Sequence, residues 1–61
     1  MDELAEFETY VAKAIEARPD LKQEFRDLRD LCISEIEAGE STTHEIHLAK
    51  EFMRQLTEPD D

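Results

Sequence analysis

The sequence predicts an all-α fold, a small antiparallel three-helix bundle over approximately residues 3–17, 20–38 and 43–57, with helix 2 central and longest. Three observations carry this. Apolar residues recur at three- and four-residue intervals in three separate runs, and nowhere do they alternate with the two-residue period of a strand. The breaks between the runs hold Pro19 and the single glycine, Gly39, residue types that start and stop helices. The connections left between runs are about two to five residues long, short enough to fold each helix back along its predecessor.

In the first run Leu4, Phe7, Val11, Ala14 and Ile15 fall within an arc of about 100°, which Tyr10 extends along one edge. Asp2, Glu3 and Glu6 stand where carboxylates complement the positive end of the helix dipole. The run stops at Arg18, because the residue before a proline is pushed out of helical geometry. Two starts fit the second helix: Pro19 at the first helical position, or Asp20 as the cap with Gln23 closing a capping box. Its stripe is Leu21, Phe25, Leu28, Cys32 and Ile36, with Leu31 and Ile33 off the stripe on opposite sides, so this helix faces two neighbours.

Gly39 is placed to take the left-handed position just past that helix. Thr42-Thr43-His44-Glu45 carries the Thr-x-x-Glu spacing of a capping box for the third helix, whose apolar arc of about 120° comprises Ile46, Ala49, Phe52, Met53 and Leu56. Residues 1–57 then form one helical domain, and 58–61 a frayed acidic tail.

Composition narrows the function. Seventeen Asp and Glu oppose seven Lys and Arg, a net charge of −10, so nucleic acid is not an expected direct partner. No apolar run approaches the roughly 18–20 residues of a membrane span. Asp2-Glu3 is acidic where a targeting signal needs a basic region, and one cysteine builds no disulfide framework, so a cytoplasmic setting is expected.

No serine sits in a strand-to-helix elbow and no glycine-rich loop cradles phosphate, so the chain reads as non-enzymatic, without a cofactor. Cys32 lies mid-stripe between Leu28 and Ile36 and reads as a small buried hydrophobe rather than a reactive thiol. His44, His47 and Glu51 share an arc of about 60° on the outer side of helix 3. They are metal-ligand types, but the histidines stand three apart rather than four, so no metal site is assigned and solvated residues are the preferred reading.

The acidic excess divides almost evenly among the three segments but is polarised around helix 2. Lys22, Arg26 and Arg29 share a flank with Ile33, and Asp20, Glu24, Asp27 and Glu35 share the other with Leu31. Carboxylates from helices 1 and 3 are expected to pair with the basic flank.

The leading expectation is a small acidic binding or regulatory protein docking salt-dependently on a basic protein, as an inhibitor or nucleic-acid mimic. Its expected contact residues are Glu24, Asp27, Leu31, Glu35, Leu48 and Glu51. The alternative is a homodimer with Leu31 or Ile33 completing a shared core, and the third reading is weak metal binding at His44, His47 and Glu51.

Overall fold

Asp2 starts the first helix by accepting a hydrogen bond from the Leu4 amide on its Oδ1 at 3.1 Å. In the computed structural model, which describes residues 2–58, the chain then forms α1 (Glu3–Ala17), a 3₁₀ turn (Pro19–Leu21), α2 (Lys22–Glu37) and α3 (Thr42–Thr57). Arg18, at φ −134° and ψ 75°, leaves the helical region as its following proline demands. Pro19 opens the 3₁₀ turn, so the proline start prevails over the Asp20 cap. The carboxylate of Asp20 instead accepts from the Arg18 guanidinium, at 3.1 Å from Nε and 3.0 Å from Nη2, and Gln23 donates to Asp27 Oδ1 at 2.9 Å. Because the chain tightens into 3₁₀ geometry here, α2 has 16 residues, the same as α3, and is the longest helix only if the turn is counted.

The end of α2 is a Schellman turn. The Gly39 amide donates to Ile36 O at 3.0 Å and the Glu40 amide to Glu35 O at 3.1 Å, which closes the helix around Gly39 at φ +113°. No atom lies within 4 Å of where a Cβ would stand, so a side chain here meets only backbone strain. Gly39→Ala is therefore expected to lower the unfolding free energy by about 1–2 kcal/mol, with Gly39→Asn costing less. Urea denaturation of the three proteins checks this.

The third helix begins one residue earlier than its Thr-x-x-Glu spacing suggests. Ser41, extended at φ −64° and ψ 123°, is the cap: its hydroxyl accepts from the His44 amide and its carbonyl from the Glu45 amide. Thr42 already has helical geometry, so its hydroxyl cannot fill the cap role. At the far end Glu58 follows the helix as its C-cap: its amide donates to Arg54 O at 2.9 Å and its carboxylate accepts from Arg54 Nη1 at 2.9 Å. The remainder of the expected tail, residues 59–61, lies outside the described residues.

Direction follows from three inter-helix contacts. Thr43 Oγ1 donates to Glu3 Oε2 at 2.8 Å, Lys50 Nζ stands 5.4 Å from the centre of the Tyr10 ring, and Met53 and Thr57 line one cavity with Ala14 and Ala17. Early residues of α1 meet early residues of α3, and late meet late, so these helices run parallel and α2 runs against both. All three pairs of helices touch, which closes a triangle around Phe7, Val11, Phe25, Cys32, Ile46, Ala49 and Met53. Among the described residues no polar or charged side chain is buried in that core.

Candidate protein-binding groove

Three-helix geometry buries the faces that point at the triangle's centre and leaves a furrow wherever two helices diverge at the surface. Between α2 and α3 this furrow is apolar. Antiparallel packing sets the start of α2 beside the end of α3, so Leu28 of α2 meets Phe52 and Leu56 of α3 around a cavity of about 560 Å³. One turn further along α2, Leu31 meets Leu48 around a second cavity of about 210 Å³, floored by Cys32 and Ala49. Leu28 and Phe52 line both, so the two are one continuous strip.

Four large apolar side chains stay exposed on this strip: Leu31 at 58%, Phe52 at 55%, Leu56 at 41% and Leu48 at 39%. A contiguous apolar patch of this kind, rimmed by polar groups, is the surface signature of an interaction site. The rim is acidic. Glu24 and Asp27 border the larger cavity, and Glu35 and Glu45 the smaller. Among the described residues none of these four takes part in an ion pair, and Asp27 accepts only from the neutral Gln23 amide.

Five of the six sequence-predicted contact residues, Glu24, Asp27, Leu31, Glu35 and Leu48, thus converge on one groove. Glu51 does not. It points from the outer side of α3 and accepts from Arg54 Nη2 at 2.8 Å. Arg54 holds the Glu51 carboxyl below its ordinary range, first through that hydrogen bond and then through its charge. Glu51 is expected to titrate below the ordinary glutamate pKa, near 4.3, in a side-chain NMR titration, and Arg54→Gln is expected to move it up. The sign for stability follows: the pair's contribution is complete above that ordinary value and disappears as pH falls through the folded-state value.

Two residues expected in the core, Phe52 and Leu56, belong to the groove instead. Their clue was the width of the arc: Ile46, Ala49 and Met53 suffice to fill the triangle, so the remaining edge of a 120° stripe has no third helix to cover it. The expected pairing of the basic flank with other helices is likewise absent among the described residues. Arg29 pairs with Asp30 of its own helix at 3.0 Å, and no ion pair involves Lys22 or Arg26.

His44 and His47 are exposed on α3, and among the described residues no three His, Cys, Asp or Glu side chains stand close enough together to hold an ion. Cys32 is buried, and desolvation, followed by the nearby Glu45 charge, raises its pKa and keeps the thiol protonated. Among the described residues no helix is long and apolar enough to cross a membrane. No family model, curated protein or solved structure matches this chain.

Proposed function

We propose that the chain is an acidic, non-enzymatic binding protein that docks on a basic protein through the α2–α3 groove and acts as a regulator or inhibitor of that partner. The observation that carries the reading is the coincidence of exposed Leu31, Leu48, Phe52 and Leu56 with four rim carboxylates that form no ion pair among the described residues. Leaving them unpaired beside apolar surface raises local negative potential, which steers a positively charged partner and penalises others. Phosphate mimicry is the less favoured form of the reading, because a mimic needs rows of charge and has no use for an apolar strip between them. A protonated Cys32 thiol on the groove floor is the opposite of an activated nucleophile, which supports a binding role. The free thiol fits a reducing, cytoplasmic setting.

The test is affinity capture by wild type and by Glu24→Lys/Asp27→Lys at about 50 and about 300 mM salt. Expected is a basic protein retained by wild type at low salt, released at high salt and not retained by the variant. Retention indifferent to both changes overturns the proposal. Salt is expected to act oppositely on the free protein: at a net charge of −10, screening of self-repulsion should raise the melting temperature, which thermal melts at the two salt concentrations check.

A further inference from the structure

We infer that the element received by the groove is a cationic amphipathic helix, which lies between α2 and α3 as a fourth helix of the bundle. This rests on the proposed docking function and specifies the partner's form.

The first argument is backbone chemistry. Both walls are helices whose amides and carbonyls are already bonded internally, so the groove offers no strand edge to an incoming extended segment. An extended peptide would carry unpaired backbone groups onto apolar surface at a cost a helix avoids by bonding itself. The second is dimension. From Leu48 to Leu56 the α3 wall rises about 12 Å, a little over two turns of a partner helix, which brings anchors at i, i+4 and i+7 onto the strip. Ala49 keeps the floor low while Leu31 and Phe52 stand up on either side, a notch for one such anchor.

The third argument is charge. Glu24, Asp27 and Glu35 line the α2 wall, whereas the α3 wall carries Glu45 at one end and the neutral Gln55 at the other. The partner helix therefore carries its lysines or arginines mainly on the flank that faces α2. A second copy of this chain is a poor occupant by the same reasoning, since it would bring its own four rim carboxylates against these.

The experiment uses the full chain and three synthetic peptides of about 16 residues. The first is a helix with leucines at i, i+4, i+7 and i+11 and lysines along one flank. The second has the same composition with a central proline, and the third has glutamates in place of the lysines. Binding is read by fluorescence anisotropy and by amide NMR shifts.

Expected is micromolar binding of the first peptide, with shifts centred on Leu31, Leu48, Phe52 and Leu56. At least about tenfold weaker binding is expected of the other two peptides, and of the first to Leu31→Ser/Phe52→Ser. Those two side chains are more than half exposed, so the variant retains its fold, which circular dichroism checks. Equal binding of the proline peptide overturns the helical partner while leaving the basic-partner reading in place. Equal binding of the glutamate peptide, or shifts on another face, overturns both. A dimer in sedimentation that Leu31→Ser/Phe52→Ser dissolves makes the occupant a second copy and overturns the inference.

Discussion

Phe25→Ala is expected to remove a large part of the domain's folding stability. Phe25 is fully buried on α2 and is one of only seven buried core residues among those described. Removing a buried phenyl ring costs about 3–5 kcal/mol through lost transfer energy and the cavity left behind. A chain of this length has on the order of 3–9 kcal/mol to lose, with no disulfide and no buried polar network among the described residues to hold the helices together. For a domain this small the change corresponds to a fall of roughly 12–40 °C in melting temperature. Phe25→Leu keeps most of the volume and is expected to fold. Thermal melts by circular dichroism check both, and a fall below about 10 °C for Phe25→Ala would show that the ring is not the keystone its burial makes it.

Neighbouring positions of α3 are expected to respond in opposite ways. Met53 is 1% exposed and packs against the α1 side of the core, whereas Phe52, next in the chain, is 55% exposed in the groove. Met53→Ala is expected to cost about 2–5 kcal/mol, and Met53→Leu, which keeps the volume, less than about 1.5 kcal/mol. Phe52→Ser, the larger chemical change, is expected to cost no more than about 1 kcal/mol, since much of the ring is already in water. Urea denaturation of the three variants measures the contrast. A loss at Phe52 as large as that at Met53 would mean that the ring serves the fold rather than an interface.

What was legible in the sequence is what depends on local chemistry. The bounds of α1, the stop at Pro19 and the positive φ of Gly39 follow from single residues acting on their own backbone. The Thr42–Glu45 spacing points to Thr42, but a hydroxyl on either Ser41 or Thr42 can cap, and where the extended backbone ends decides for Ser41. Phe52 and Leu56 fall within the apolar stripe of α3 yet lie in the groove, because periodicity reports which face is apolar and not how many helices arrive to cover it. Glu24, Asp27 and Glu35 share one flank of α2 with Leu31 in the sequence, and antiparallel packing of α2 on α3 brings that flank beside Leu48. Glu51 shares the outer face of α3 with Arg54, three residues on, and pairs with it there, away from the groove.

The Schellman turn at Gly39 has a kinetic consequence. It joins α2 to α3 through only Ala38–Ser41, so the groove belongs to a helical hairpin whose walls close a loop of minimal length. Arg18–Leu21 joins α1 to α2 through a connection of the same length, whereas the contact between Glu3 and Thr43 spans forty residues of chain and closes the larger loop. Local topology of this kind folds on the microsecond-to-millisecond scale. The two walls of the binding surface are thus joined by one local closure, whereas the seal between α1 and α3 depends on both hairpins.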